Sequence, residues 1–301
     1  MLLWGTLPLA LKALLVKLDS VTIVGFRFLC SAAVVGLLLS SRRRLPNLKR
    51  LNGSGRLLLL LSVIGLGVNY LAYTLGLDLT SPAVAQVIIQ LAPPILTLGG
   101  LILFRERFAT LQWIGFAMLL AGLAFFFGAQ LELASDDYRA YYTGVAWVVG
   151  AAFFWAIYGM AQKQLLMQLS SQSIMFCVYL ACAIVFVPLS SIGRLFELDG
   201  VEWAILTFAA LNTVMAYGAF AEALQHLEAS RVSAVLSLTP FATIVFASIA
   251  GRISPEFFPR EAITSLALVG VAAVVLGSIL VALARNSGTS VPPDAGKPPV
   301  G

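Results

Sequence analysis

The residues able to do chemistry in this chain are few, and they stand inside long apolar runs. Gln86, Gln90, Pro93 and Thr97 follow one another at spacings of 4, 3 and 4, so a helix carries them on one face. Pro93 and Pro94 lack amide hydrogens, which leaves the carbonyls of Ile89 and Gln90 without helical donors. In a bilayer such groups are costly unless protein or an aqueous cavity satisfies them. The stripe therefore reads either as a cavity wall beside a weakened backbone or as amides and a kink that hold helices together. Asn69, Tyr70 and Tyr73 cluster in the third apolar run, Trp155 and Tyr158 in the sixth, and Tyr217 in the eighth. Singly, each is as well a packing residue or an interface anchor. With Trp4, Gln86, Gln90 and Ser237 they would line a cavity with apolar walls and a few polar handles, the make-up of a small-molecule substrate site.

Ionisable candidates are scarcer still. Glu222 lies in AYGAFAEALQHLEAS near the end of the eighth run. An ionisable residue in a span is a functional candidate, here as a proton carrier; an interfacial Glu contacting Arg231 or Lys163 is the alternative. Arg27 opens the second run and reads as an outer-interface residue or a structural ion-pair partner in preference to a substrate ligand. His226 is the sole histidine and reads as interfacial, which excludes a multi-histidine metal site. No nucleophile–base pair and no metal-ligand spacing appears, so the chain reads as neither enzyme nor metalloprotein and calls for no cofactor. The candidate lining has no clustered Arg and Lys, which argues against a multi-anionic ligand such as a nucleotide.

The elements that must position these residues are set by composition. Of 301 residues, 60% are hydrophobic and only 11% charged, with a mean hydropathy of +0.95. A soluble domain is nearer half apolar and a quarter charged, so this is an integral membrane protein whose partner is the lipid bilayer. The net charge of +5 does not imply nucleic acid, because the basic residues lie between apolar runs. Cys30, Cys177 and Cys182 sit within such runs and read as reduced and packed.

Ten apolar segments can be counted, at approximately 2–17, 21–40, 57–77, 83–104, 109–128, 143–165, 172–192, 203–225, 231–251 and 261–284. The stretch from Ala83 to Phe104 is uncharged over roughly 33 Å at about 1.5 Å per residue, a bilayer's hydrocarbon thickness. The first segment is short by several residues, and it lacks the basic n-region and cleavage site of a signal peptide. It reads as a helix missing its first turns. Arg42, Arg43, Arg44, Lys49, Arg50 and Arg56 follow segment 2, and Arg105 and Arg107 follow segment 4. Acidic residues follow segments 5 and 7: Glu132, Asp136, Asp137, Glu197, Asp199 and Glu202. Basic loops stay cytoplasmic, so ten helices with both termini inside agree with the charges; nine are the alternative.

The chain also repeats itself. Segment 9 superimposes on segment 4 at an offset of 147 residues (233 − 86), pairing Ser233 with Gln86, Ser237 with Gln90 and Pro240 with Pro93. Gly115 and Gly122 are seven apart, as are Gly270 and Gly277. Trp4 precedes Lys12 by eight residues, as Trp155 precedes Lys163. Five helices is an odd number, so the second copy must be inverted, a recurrent design of secondary transporters with the substrate site between the halves. The predicted organisation is an all-α membrane protein of ten transmembrane helices in two inverted five-helix repeats. The first repeat covers 1–128, an extracytoplasmic loop 129–142, the second repeat 143–285 and a disordered cytoplasmic tail 286–301. Pro93, Pro94 and Pro240 are the predicted helix breaks or gates.

Four stretches carry a family likeness: Trp4-Gly5-Thr6, Phe26-Arg27-Phe28, the run from Thr80 to Pro94, and Phe104-Arg105-Glu106-Arg107. With the duplication, they make the chain resemble the EamA-type family of the drug/metabolite transporter superfamily from Leu2 to about Arg285. The resemblance implies an inner-membrane secondary transporter working by alternating access, in many members an exporter of amino acids or other metabolites. Gly251-Arg252-Ile253 lacks the expected Gly-Glu, and segment 1 begins at its tryptophan, so these ends depart from the pattern. Amphipathic solutes such as apolar or aromatic amino acids suit the predicted lining. The alternatives are a broad-specificity drug efflux protein, for which segment 1 offers no carboxylate, and a non-transporting scaffold, which leaves the repeated stripe unexplained. Direction, coupling ion and oligomeric state are not written in the residues.

Overall fold

Polar residues between the apolar runs start the helices. The Asp19 carboxylate accepts from the Thr22 amide at 2.9 Å, Asn52 from Gly55 at 2.7 Å, and Ser81 and Ser170 from Val84 and Ser173 at 3.3 Å each. Asp199 accepts from the amides of both Val201 and Glu202 at 2.8 Å. Each such cap satisfies amides that have no intrahelical partner, a contribution of about 1 kcal/mol apiece.

The computed structural model describes residues 1–48, 51–104, 109–131, 138–226, 235–255, 257–258 and 264–283, without the side chains at 97, 100–104, 130–131 and 220–226. Among the described residues all regular structure is helical. The helices are α1 Leu2–Leu14, α2 Ser20–Ser41, α3 Gly53–Asp78, α4 Pro82–Ile88, α5 Ala92–Phe104, α6 Thr110–Leu131, α7 Tyr138–Leu165 and α8 Ser171–Phe186. There follow the single turn α9 Ile192–Leu195, then α10 Gly200–His226, α11 Thr239–Ile253 and α12 Ser265–Leu283. Six helices among the described residues are long and apolar enough to cross a membrane, and Leu2–Leu14, Pro82–Leu96 and Thr239–Ile253 are shorter apolar ones. Large apolar side chains such as Leu37, Phe153, Ile184 and Val269 point outward. That is what a lipid solvent requires and water would penalise. Some hydroxyls inside the helices turn back on their own backbone: Ser62 donates to the Leu58 carbonyl at 2.9 Å and Thr74 to Tyr70 at 2.8 Å.

The helices pack in pairs: α6 on α12, α3 on α7, α2 on α8, α1 between α10 and α11, α4 on α11, and α5 on α7. The glycines set the closest of these contacts. A Cβ at Gly277 would stand 2.5 Å from the Gly115 carbonyl, and one at Gly122 2.6 Å from the Val274 amide. The two seven-residue glycine pairs of the sequence therefore face each other across the α6–α12 seam. Likewise a Cβ on Gly5 would meet that of Ala242 at 2.9 Å, and the Thr243 hydroxyl donates to the Gly5 carbonyl at 2.9 Å. Two apolar cores result. One joins Leu11, Ile23, Ile88, Phe126 and Val274; the other joins Phe28, Leu66, Tyr158 and Tyr179.

The loop expected over 129–142 is shorter, since α6 runs to Leu131 and α7 starts at Tyr138, and two expected segments are interrupted. The fourth segment breaks into α4, a 3₁₀ turn at Ile89–Leu91 and α5. The turn falls at the residues whose carbonyls the prolines deprive, while Pro93 and Pro94 themselves sit in the first turn of α5, where a missing amide is tolerated. The ninth segment does not run unbroken through Pro240: α11 starts at Thr239, after a turn at Ser237 and Leu238. Pro240 thus opens a helix, its preferred position, instead of kinking one. Ser233 lies outside the described residues.

Candidate functional site

The 3₁₀ turn in the fourth segment opens onto a cavity of about 170 Å³. One water needs about 10–15 Å³ by such a measure, so this is space for a solute and not a packing defect. The wall is built by several helices. The α1 helix supplies Trp4, Leu7 and Pro8; α2 supplies Arg27; α3 supplies Asn69, Tyr70 and Tyr73. Gln86 comes from the end of α4, Ile89 and Gln90 from the turn, and Ala92 and Pro93 from the start of α5. Trp155 on α7, Tyr217 on α10, and Leu236 and Thr239 at the start of α11 complete it.

The polar groups on this wall differ in what they can offer a ligand. The Tyr73 hydroxyl donates to Gln86 Oε1 at 3.0 Å, which orients that amide and leaves its NH₂ as the donor end. Asn69 Nδ2 donates to the Ala151 carbonyl at 2.8 Å, so this residue clamps α3 to α7 as well as facing the cavity. Gln90 is buried and has no hydrogen-bond partner among the described residues, so its amide is open to the cavity. Trp4 and Tyr217 meet edge to face with centroids 5.5 Å apart, joining α1 to α10 across one side. The Thr239 hydroxyl turns back to the Leu236 carbonyl and fixes the turn before α11.

Arg27 is the residue sequence reasoning placed elsewhere. It is 3% exposed and lines the cavity, about 10 Å into α2 at 1.5 Å per residue. Its guanidinium lies over the Tyr70 ring, 4.6 Å from the centroid, and its Nε donates to Thr213 Oγ1 at 3.2 Å. Among the described residues the ion pair is Lys17–Glu202, at 2.8 Å, and none involves Arg27. It is buried, and it is in no ion pair among the described residues. A cation stacked on a desolvated aromatic face gains up to about 2 kcal/mol, which a polar-residue scan cannot see because Tyr70 arrives from another helix. Pro8 also escaped notice; it removes one helical hydrogen bond from α1 beside the cavity.

Of the expected lining residues, the structure gathers Trp4, Asn69, Tyr70, Tyr73, Gln86, Gln90, Trp155 and Tyr217, with Pro93. It does not bring Tyr158 or Ser237 to the wall. Tyr158 is 2% exposed and donates to Met175 Sδ at 3.0 Å within the second core. Ser237 is buried in the turn before α11, where the changed register presents Leu236 and Thr239 instead. Pro94 and Pro240, in their helix starts, are not among the lining residues. The Glu222 side chain, and that of His226, lie outside the described residues.

Polar contacts join the helix ends. Lys12 donates from Nζ to the carbonyls of Leu77, Asp78 and Thr80 at 3.0, 2.7 and 2.8 Å, capping the end of α3 where carbonyls have no helical donors. Lys17 reaches Glu202 at the start of α10, and the carboxylate next to it raises the lysine pKa above its ordinary value through hydrogen bonding. Asp19 is partly buried, which alone would raise its pKa; the Thr22 amide and hydroxyl and Ser191 outweigh that and hold it below the usual value. The Thr22 hydroxyl in turn accepts from the Ser191 amide at 2.8 Å. These bonds tie the end of α1 to the end of α3 and the start of α10, and the start of α2 to the residue before α9.

The arrangement resembles known membrane proteins as a whole. A model of the EamA-like transporter family matches residues 1–128 and 142–283. An "Uncharacterized transporter" of Haemophilus influenzae is 36% identical over 283 residues, covering 94% of this chain and 92% of its own. The Escherichia coli K12 "Uncharacterized inner membrane transporter YhbE" is 37% identical over 285 residues, covering 94% of this chain and 88% of its own. A solved crystal structure of a protein superimposes with a TM-score of 0.63 over 93% of this chain and 92% of that one; at 20% identity this is a likeness of fold alone.

Proposed function

The chain belongs to the EamA-like transporter family, a family of membrane transporters, and from that premise we propose that it exports small organic solutes across an inner membrane by alternating access. The observation that carries the reading is the cavity at the break between α4 and α5, with aromatic walls and the Gln86 and Gln90 amides directed into it. Amphipathic solutes of amino-acid size, including apolar and aromatic amino acids, suit such a lining.

The two halves are inverted five-helix repeats in this account, with ten transmembrane segments and both termini cytoplasmic. The helix pairing supports it. Exchanging α1, α2, α3, α4–α5 and α6 for α7, α8, α10, α11 and α12 maps the α1–α10 pair onto α7–α3, and α1–α11 onto α7–α5. The pairs α2–α8, α4–α11 and α6–α12 map onto themselves. A cavity at the interface of such halves is where rocking of one repeat against the other exposes a site to each side in turn. The relative named as an inner membrane transporter and the basic loops after segments 2 and 4 support the placement and orientation. Export is taken from the family resemblance. Glu222 is the proposed proton carrier for antiport; an unchanged rate and pH dependence in Glu222→Gln would leave facilitated exchange.

The test is counterflow. Liposomes containing the purified protein are preloaded with unlabelled solute and offered a labelled panel of amino acids and metabolites. Accumulation of one or more above protein-free liposomes is expected. A panel that moves no faster than the blank overturns the reading.

A further inference from the structure

Among the described residues Arg27 is the one charged residue lining the cavity, and the transport reading has so far given it no task. A guanidinium carries five N–H donors in a planar fork. Among the described residues Nε donates to Thr213 Oγ1, whose own hydroxyl hydrogen is directed to the Ala209 carbonyl at 3.1 Å. The Thr213 oxygen is therefore held as an acceptor, and it fixes the plane of the guanidinium from one edge. The Tyr70 ring covers one face at 4.6 Å. The two terminal nitrogens have no acceptor among the described residues, and Arg27 lines the cavity. A cation so buried is costly unless an anion meets it.

We propose that Arg27 is the anchor for a carboxylate on the transported solute, so that the substrate class is an acid with one carboxylate and an apolar or aromatic body. This rests on the transport reading above. The fork of terminal nitrogens matches the two oxygens of a carboxylate, and a pair of charge-assisted bonds fixes orientation as well as binding. A single carboxylate is favoured over a phosphate ester or a dicarboxylate because the described lining holds one cation. Trp4, Trp155 and Tyr217 supply a surface for the apolar body, and Gln86 and Gln90 stand ready for a second polar substituent such as an amine or hydroxyl. A cationic drug meets a like charge here and is rejected.

The experiment uses the purified full chain and four probes sharing a phenyl body: L-phenylalanine, 3-phenylpropanoate, L-phenylalaninamide and 2-phenylethylamine. Binding is read from ligand-induced thermal stabilisation in detergent, and transport from counterflow in liposomes. One or both carboxylate probes are expected to bind, with neither the amide nor the amine competing. Which carboxylate binds separates an amino acid from a plain acid as the source. Arg27→Gln is expected to weaken carboxylate binding by about 100-fold or more, and Arg27→Lys, which keeps the charge without the fork, is expected to fall between. The Lys variant also guards against misfolding of the Gln variant. Equal binding of the amide and the carboxylates, no binding of either carboxylate, or unchanged carboxylate binding in Arg27→Gln each overturns the proposal. Carboxylate binding that depends on Arg27 without any counterflow keeps the anchor and overturns the transport reading instead.

Discussion

Replacing Gly277 with Ala tests whether the α6–α12 seam is as tight as its glycines imply. The new Cβ would stand 2.5 Å from the Gly115 carbonyl oxygen and 2.6 Å from the Leu119 amide nitrogen. Ordinary contact begins at 3.4 Å, so the helices must part locally by 0.9 Å (3.4 − 2.5). Both opposing atoms are backbone in a helix and cannot swing aside as a side chain would. Overpacking of this kind costs about 1–3 kcal/mol. Against it stands the gain of about 1 kcal/mol that Ala brings over Gly in any helix interior. Gly128→Ala isolates the two terms, because it lies on α6, the other helix of the seam, and a Cβ there meets nothing within 4 Å. The difference between the two variants is then the clash alone, about 1–3 kcal/mol with Gly277→Ala the less stable. Equilibrium unfolding by SDS titration from dodecyl maltoside micelles, followed by near-UV circular dichroism, measures it. Gly277→Ala as stable as Gly128→Ala, or more so, refutes the close seam.

Other perturbations follow from the helix ends and the wall. Lys12→Met removes donors from three carbonyls at the end of α3 and is expected to cost about 1.5–3 kcal/mol in the same unfolding assay. Asp19→Ala removes the cap of α2 and is expected to cost about 1 kcal/mol near neutral pH. Because the Asp19 pKa is depressed in the folded protein, its contribution is full above the ordinary value of 3.8 and fades as pH falls through the lower folded value. The gap between wild type and Asp19→Ala should therefore be constant from pH 7 to pH 5, which is about one unit above 3.8, and close on further acidification. Tyr73→Phe frees the Gln86 amide to rotate; counterflow kinetics should show a KM raised by about tenfold at most, with the unfolding midpoint little changed.

How far the sequence revealed the site depended on which helix supplied the evidence. Gln86, Gln90 and Pro93 were legible because helical spacing and missing amides act within one segment. The glycine pairs were legible because a seven-residue repeat of small residues has few uses in a membrane other than close approach. Arg27 was not, since its depth and its partners come from α3 and α10, and a charge near a helix start looks the same at an interface or on a cavity wall. Tyr158 and Trp155 are one turn apart on a helix that is apolar all round, so no periodicity separates the tyrosine sunk in the core from the tryptophan on the wall. Ser237 failed for a local reason. The echo of segment 4 assumed an unbroken helix, but the turn before Thr239 rotates the register and substitutes Leu236.

The central claim is that the cavity beside Gln90 is a solvent-reached site open to each side in turn. It is tested most directly by a single Cys at Gln90 in a protein whose Cys30, Cys177 and Cys182 are replaced by Ser. A membrane-impermeant thiol reagent is applied in separate experiments to the outside of right-side-out and inside-out vesicles. The account expects labelling from both faces, slowed by a transported solute, while a Cys at buried Ser237 stays unreactive. A Cys at Gln90 that reacts from neither face would contradict it.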